Sequence, residues 1–280
     1  MTSLSNRIAQ VESQWTYPIN GFINDLYEPV HLPSHDVAHH FRVWKFCKDL
    51  LHEIERNSLS IDSSKVEQAL IACLFHDTGL TIDTGEKHGF HSRVACQKFF
   101  QQNPNLTPAN LNEILKAIEY HDDKTLKDLS IFNGGQEVDL VNLVSTADDL
   151  DAFGLIGVYR YLEIYTLRGH SLQEIPSLVM LNLENRFTNF ERMYSNYIDL
   201  VNEQKLRFLK TNDFFKSLDN HFNSPSDKED YFLIIAEVLL ENLLVKKMDT
   251  KTTIDYALKG DYPTQVKIFF ECLRDELESF

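Results

Sequence analysis

The chain has 280 residues, of which 43% are hydrophobic and 25% charged, and its formal net charge is −15. This composition is ordinary for a globular protein and excludes a disordered or fibrous chain. The negative charge argues against long nucleic acid as a partner, because such binding needs Lys and Arg to replace the counterions along the phosphates. A small phosphorylated ligand stays compatible with this charge, since a bound divalent cation reverses the local field at its site.

The four cysteines are scattered without a CxxC pair, and three of them lie within apolar helical patterns, which is typical of reduced, buried thiols. The first residues lack the apolar segment of a secretory signal, and no apolar run is long enough to cross a bilayer. We therefore expect a cytoplasmic protein with no membrane partner.

Apolar residues recur at helical spacing along nearly the whole chain, and period-two alternation bounded by hairpin turns is not evident. The sequence therefore predicts an all-α fold, a helical bundle over residues 1–170 with a helical C-terminal extension over residues 171–280 that packs on this core. The first helical segment is expected to break near Pro18. The next helix is predicted from Val37 to about Asn57, and its apolar side is expected to comprise Val37, Phe41, Trp44, Leu51 and Ile54.

Local start and stop signals mark the following helices. Ser64 and Glu67 have the spacing of a capping box that opens an apolar run, and Gly79 suits the left-handed position after the end of that helix. Thr107 and the proline after it predict the start of another helix that ends near His121. A further helix is predicted to carry Val138, Val141, Val144 and Asp148.

Two imidazoles and two carboxylates lie at the ends or on the faces of three predicted helices: His39, His76, Asp77 and Asp148. Such a mixed nitrogen and oxygen set suits Mn, Co, Fe, Zn or Mg, and it contains no thiolate that favours softer ions. Adjacent residues lie about 100° apart in the middle of a helix. At a helix end, His76 and Asp77 can converge on one ion.

Three ordered segments resemble motifs of the HD-superfamily phosphohydrolases. HDVAHHFRVW at residues 35–44 resembles their HDxxHxxRV opening, and ACLFHDTG at residues 72–79 resembles their apolar helix end with an HD pair. ADDLDAFGLIGVYR at residues 147–160 is similar to the ADxLDAxGxxGxxR segment of a bacterial branch that includes nucleotide pyrophosphohydrolases. The chain departs from the closer relatives at Thr146 and Asp149, where they usually carry an acidic and a basic residue respectively.

The resemblance implies an HD-domain bundle in which His39, His76, Asp77 and Asp148 bind one divalent metal ion. It also places His88 and His121 near the cleft, and the HxxxS step from His88 to Ser92 favours His88 over His91.

The remaining site residues are assigned by their chemistry. Asp77 is the candidate for orienting or deprotonating water, and His88, His121 and Lys124 can donate hydrogen bonds to a phosphate or its leaving oxygen. Arg42 either pairs with an acid or supports the metal ligands. Asp151 and Arg160 are expected to form an internal ion pair or a helix-packing contact rather than to act in catalysis. The other histidines are expected to be structural: His31, His40, His52, His170 and His221.

The implied activity is metal-dependent hydrolysis of a small phosphorylated molecule, with a nucleotide as the leading substrate class and a phosphomonoesterase or a nucleotide pyrophosphohydrolase as the leading enzyme types. One alternative is an HD-type di-iron oxygenase, in which His121 and either His88 or His91 complete a two-metal site. Another is a non-catalytic nucleotide-binding regulatory module. The sequence leaves the oligomeric state open.

Overall fold

The computed structural model describes residues 3–57, 60–123, 132–133, 137–224 and 230–280. The chain divides into two compact units, Met1–Leu150 and Asp151–Phe280. The described residues form the predicted all-α fold, with one antiparallel pairing of two short strands as the exception. Within the described ranges, we find no helix that is both long and apolar enough to cross a membrane.

The first unit contains the helices that surround the predicted site. They are α1 (Leu4–Tyr27), α2 (Val37–Asn57), α3 (Ser63–Phe75), a 3₁₀ turn (Thr78–Thr81), α4 (His88–Gln102), α5 (Leu111–Tyr120) and α6 (Leu140–Asp151), whose last residue belongs to the second unit. Strand β1 (Phe132–Asn133) pairs with β2 (Glu137–Val138) between α5 and α6. Val138 therefore precedes α6 and does not form part of it.

Helix α1 is continuous through Pro18, so the expected break is wrong. An internal proline costs a helix about 3 kcal/mol. Each fully buried large apolar side chain contributes about 1.5–3 kcal/mol, which offsets this cost when several lie on both sides of the proline. The fully or nearly buried side chains nearest Pro18 are Val11, Trp15, Ile19 and Ile23.

The buried face of α2 also differs from the prediction. Val37 and Phe41 are only half-buried, whereas Val43, Cys47 and Leu50 are fully buried. The other three residues of the predicted apolar side are buried as expected. The buried face thus overlaps the predicted side, excludes its first two residues and includes polar residues of the site.

Two predicted helix starts lie at other residues. Asp62, not Ser64, caps α3, because its side chain accepts a hydrogen bond from the Lys65 N–H at 2.8 Å. Glu67 does not close a capping box, since its carboxylate accepts the Ala109 N–H at 2.6 Å. The segment after Thr107 is not helical, because Asn110 has a left-handed backbone with φ 53°, and α5 begins only at Leu111.

The second unit is helical throughout its described residues, as expected for the C-terminal extension. Its elements are α7 (Gly154–Leu167), α8 (Ile175–Met193), α9 (Ile198–Asn223), α10 (Tyr231–Leu240), a π-helical turn (Glu241–Val245), α11 (Thr250–Lys259) and α12 (Thr264–Glu278). Asp151 and Arg160 form the predicted ion pair, with 3.3 Å between Oδ2 and Nη1, and both side chains are buried.

The start of α7 is capped by a residue far along the chain. Glu276 accepts the Leu155 N–H at 2.9 Å, and Arg207 donates both to Glu276 at 3.3 Å and to the Phe153 carbonyl at 2.9 Å. Gly154 has a φ of +83°, and a Cβ at this position would lie 2.0 Å from the Glu276 carboxylate. Gly154, the first of two glycines in the third motif, is therefore required above all by its backbone conformation, and the capping carboxylate lies directly against it.

Substituting Glu276→Ala should lower the free energy of unfolding by about 1–2 kcal/mol, because it removes a helix cap and the partner of Arg207. Thermal denaturation followed by circular dichroism measures the change. Glu278→Ala, an exposed change on the same helix, should leave the melting temperature within about 1 °C. Equal melting temperatures for the two variants would show that the cap contributes nothing.

Truncation after Gly169 should give an insoluble or molten product. Within the second unit, α7 packs against α8, α9, α10 and α12, all of which the truncation removes, and most of its residues from Gly154 to Ile164 are buried. Dye binding and near-ultraviolet circular dichroism measure the loss of packing. A monomeric, cooperatively folding fragment would contradict the expectation that residues 171–280 are needed by the preceding helices.

Candidate metal centre

Six predicted site residues form one cluster in the first unit, with the carboxylate of Asp77 at its centre. They come from the ends or first turns of separate helices, and all are buried: His39, His76, Asp77, His88, His121 and Asp148. They form two groups, in each of which the donor atoms lie within 4.8 Å of one another. Asp77 is the member that the two groups share.

The first group comprises His39, His76, Asp77 and Asp148. The His39 Nε2 lies 3.1 Å from the His76 Nε2, 3.3 Å from the Asp77 Oδ2 and 3.5 Å from the Asp148 Oδ1. Ligands bonded to one ion at about 2.1 Å lie roughly 3.0–3.5 Å apart. These donor atoms therefore have the spacing and chemistry that a single divalent ion requires.

The second group uses the other oxygen of Asp77. Its Oδ1 lies 3.2 Å from the His121 Nε2 and 3.5 Å from the His88 Nε2. The two oxygens of one carboxylate thus face different sets of imidazoles. The orientation of Asp77 determines the geometry of both groups.

Three of the histidines share one hydrogen-bonding pattern. In each, Nδ1 lies within 2.8 Å of a backbone carbonyl three residues earlier: His76 on Cys73, His88 on Gly85 and His121 on Ile118. A carbonyl can only accept, so Nδ1 carries the proton and the Nε2 of the neutral ring has a free lone pair. This is the arrangement found in metal-binding histidines, where the second nitrogen fixes the tautomer and the ring orientation.

The buried carboxylates of the first group favour the binding of positive charge. Burial disfavours the imidazolium of His76, but the nearby Asp77 and Asp148 carboxylates raise its pKa to about 10. Burial likewise opposes ionisation of Asp77, yet His76 and the hydrogen bond from His121 hold its pKa well below the usual range. The buried carboxylates thus retain protons on neighbouring imidazoles, and a divalent cation that binds here displaces them.

The local sequence explains why adjacent His76 and Asp77 can converge. His76 ends α3, and Asp77 follows in a non-helical conformation with φ −110° and ψ 8° before the 3₁₀ turn begins. Immediately before α2, Asp36 accepts the His39 N–H at 3.1 Å and so caps the turn that carries this residue. The site is therefore assembled at helix ends, where side chains leave the regular helical spacing.

Gly79 has a different role from the one predicted. It lies in the 3₁₀ turn and does not adopt the left-handed conformation. A Cβ at this position would lie 2.0 Å from the backbone oxygen of His88 and 2.6 Å from the nitrogen of Ser92. The Gly79 N–H also donates to the Ser92 hydroxyl at 2.8 Å. Glycine is needed because the turn after Asp77 packs directly against the backbone of the turn that carries His88.

The other residues named from the sequence lie in varied places. His91 is half-buried, and its ring packs against Phe90. Arg42 is buried in α2, one turn after His39, and Lys124 lies outside the described residues. Thr146 and Asp149, the two departures from the family pattern, are both buried in α6.

Three residues beside the two groups were not predicted from the sequence to lie at the site. His35, assigned to the helix start, is buried with its ring centroid 5.5 Å from that of His39. Tyr27 and His40 form a hydrogen-bonded pair beside Asp77. The available signal was the position of His40 three residues before Val43 on the buried face of α2, because a polar residue there needs a hydrogen-bond partner.

Comparison with known protein families supports the resemblance to the HD superfamily. Residues 37–153 match the family model described as an HD domain. Neither the search of curated proteins nor that of solved structures found a match. The matched segment contains every histidine and aspartate of the two groups. The match thus supports an HD-type metal-dependent hydrolase.

Substituting Gly79→Ala should destabilise the first unit by at least about 2 kcal/mol, because the added methyl group meets backbone atoms that cannot rotate away. Gly21→Ala is the matched control, since a Cβ there meets nothing within 4 Å. In the middle of α1 this control should stabilise by about 0.5–1 kcal/mol. Chemical denaturation measures both changes. A Gly79→Ala variant as stable as the wild type would contradict the close packing.

Proposed function

We propose that this protein is a metal-dependent phosphohydrolase that acts on a small phosphorylated molecule, with nucleotides as the leading substrate class. One observation carries the proposal. The donor atoms of His39, His76, Asp77 and Asp148 lie within 4.8 Å of one another inside the segment that matches the HD domain. The preference for a nucleotide rests on the third motif, at residues 147–160, and its resemblance to nucleotide pyrophosphohydrolases.

These four residues would hold one divalent ion, and their nitrogen and oxygen donors fit Mn, Co, Mg, Fe or Zn. When bound, such an ion supplies Lewis acidity, which lowers the pKa of water and polarises a phosphoryl oxygen. The phosphate group of the substrate enters a site whose own imidazoles are hydrogen-bond donors when protonated.

The side chains of the second group would accept a hydrogen bond from the attacking water and supply a proton to the leaving oxygen. Asp77 stays ionised, since its pKa lies well below the usual range, and its carboxylate can accept a hydrogen bond from the attacking water. Burial lowers the pKa of His121, but the hydrogen bond to Asp77 more than offsets this and raises it above its ordinary value. His121 can therefore hold a proton for the leaving oxygen, and His88 can donate to the phosphate.

Arg42 and Lys124 are the two remaining residues of the proposed active site. Arg42 is buried in α2 close in sequence to His39, and we assign it to support of the ligands. Lys124 follows His121 by three residues, and its assignment to the phosphate rests on the sequence alone. Both a phosphomonoesterase and a nucleotide pyrophosphohydrolase are compatible with this arrangement.

A two-metal enzyme, such as a di-iron oxygenase, is the second candidate, because Asp77, His88 and His121 also form a group that could hold an ion. We favour one ion on grounds of charge. The two groups contain only two carboxylates, Asp77 and Asp148, which neutralise one divalent ion but leave a second without a protein counter-charge. A non-catalytic regulatory module is less well supported, since all four donors of the first group are retained.

The substrate class can be tested with a panel of nucleotides and phosphomonoesters incubated with Mn²⁺, Co²⁺ or Mg²⁺. Chromatography identifies the products and shows whether pyrophosphate or orthophosphate leaves. We expect turnover of at least one phosphorylated compound that chelator abolishes and added metal restores. Oxygen consumption without phosphate release would instead support the oxygenase.

Substituting Asp77→Asn should reduce metal-dependent turnover to less than about a tenth of wild type, because it removes a charged ligand while keeping the side-chain volume. Far-ultraviolet circular dichroism should show unchanged helix content. Asp25→Asn, at an exposed position of α1, serves as the control and should retain full activity. An Asp77→Asn enzyme with more than a tenth of wild-type turnover would refute the assigned role.

Substituting His121→Ala should lower turnover while the bound metal stays near one ion per chain, since His121 acts on substrate in the one-metal site. Inductively coupled plasma mass spectrometry measures the metal content. A wild-type preparation that holds two ions and loses one on this substitution would establish the two-metal alternative.

A further inference from the structure

The backbone carbonyl of Asp77 is held by a residue outside the HD-matched segment. The Tyr27 hydroxyl, at the end of α1, donates to this carbonyl at 3.1 Å, and the Leu80 N–H donates to it at 3.0 Å. Tyr27 is only 8% exposed. The carbonyl therefore has two protein donors in a buried environment, one of them local and one from a separate helix.

Tyr27 is in turn held by His40. Its hydroxyl lies 2.9 Å from the His40 Nε2, and the two rings pack edge to face with centroids 5.5 Å apart. A hydroxyl has one proton, which Tyr27 donates to the Asp77 carbonyl because that atom can only accept. The His40 Nε2 must then be the donor to Tyr27. The chain of donors runs from His40 through Tyr27 to Asp77.

The backbone of Asp77 is the part of the site that most needs such a restraint. Its φ of −110° and ψ of 8° lie in a sparsely populated region between α3 and the 3₁₀ turn. The side chain leaves this backbone with Oδ2 facing His39 and Oδ1 facing His121. A rotation of the peptide plane would change the direction of the carboxylate and misplace both oxygens at once.

We propose that Tyr27 and His40 are positioning residues that hold the Asp77 backbone in the conformation needed to bind the metal. The inference rests on the proposed function, because it takes the first group as a metal site. It adds a residue of α1 to a centre whose other members all lie within residues 37–153. The His40 ring also packs against the rings of His39 and His76, with centroids 5.6 and 5.2 Å apart. The proposed role adds to this packing, because the hydroxyl of Tyr27 links His40 to the Asp77 carbonyl.

Calorimetric titration with Mn²⁺ tests the proposal without any substrate. Tyr27→Phe keeps the ring and removes the hydroxyl, and it should weaken Mn²⁺ binding about tenfold, the usual effect of losing an outer hydrogen bond of a metal site. Tyr17→Phe is the matched control on the same helix, because Tyr17 is 88% exposed. This control should bind Mn²⁺ as the wild type does.

A double-mutant cycle separates the donor chain from general loosening. His40→Leu should also weaken binding, but the loss in the double variant with Tyr27→Phe should be smaller than the product of the two single losses, because both substitutions break the same donor chain. Multiplied losses would show that the two residues act independently and would overturn the proposal. Unchanged binding in Tyr27→Phe would overturn it as well. A wild type that binds no Mn²⁺ would refute the proposed function itself, so the two failures are distinct.

A measurement on the unsubstituted protein covers the case in which a variant fails to fold. Nitrogen-15 chemical shifts of the metal-free wild type report which ring nitrogen of each histidine carries the proton. His40 should carry its proton on Nε2 and none on Nδ1, whereas the Nδ1 of His76, His88 and His121 should carry a proton. An Nδ1–H tautomer at His40 would reverse the direction of the hydrogen bonds and contradict the proposal.

Discussion

The burial of the Asp77 carboxylate among imidazoles is the constraint on which the site depends. A buried charge is costly unless it is paired and hydrogen-bonded. Here the carboxylate faces Nε2 atoms on both sides, and its backbone carbonyl accepts hydrogen bonds from Tyr27 and Leu80. Protons on the rings balance the charge in the metal-free protein. The donor atoms of the first group lie close enough together for a divalent ion to take the place of these protons.

The fold satisfies this constraint by placing the donors at helix ends. His76 ends α3, His88 begins α4 and His121 ends α5. The Nδ1 of each ring donates a hydrogen bond to the backbone carbonyl three residues earlier, and this bond fixes the ring orientation. The close contact of Gly79 with the backbone of His88 then sets the distance between two of these ends. Contacts with the backbone thus fix the orientation of these three rings.

The sequence predicted the helical class, the extent of α2 and the convergence of the donor set, because these depend on periodicity and on ordered motifs. It failed where a long-range contact decides a local structure. Glu67 binds Ala109 in place of its own helix start, and α1 continues through Pro18 because of the core on both sides. His40 could not be assigned because its partner, Tyr27, lies on another helix. Such pairings follow from the packed fold and not from spacing.

Anomalous diffraction from a crystal soaked in Mn²⁺ would test the central claim most directly. We predict one peak at about 2.0–2.3 Å from donor atoms of His39, His76, Asp77 and Asp148. His88 and His121 should remain outside bonding distance of this ion. No peak at these residues, or a peak bound only by Asp77, His88 and His121, would contradict the account.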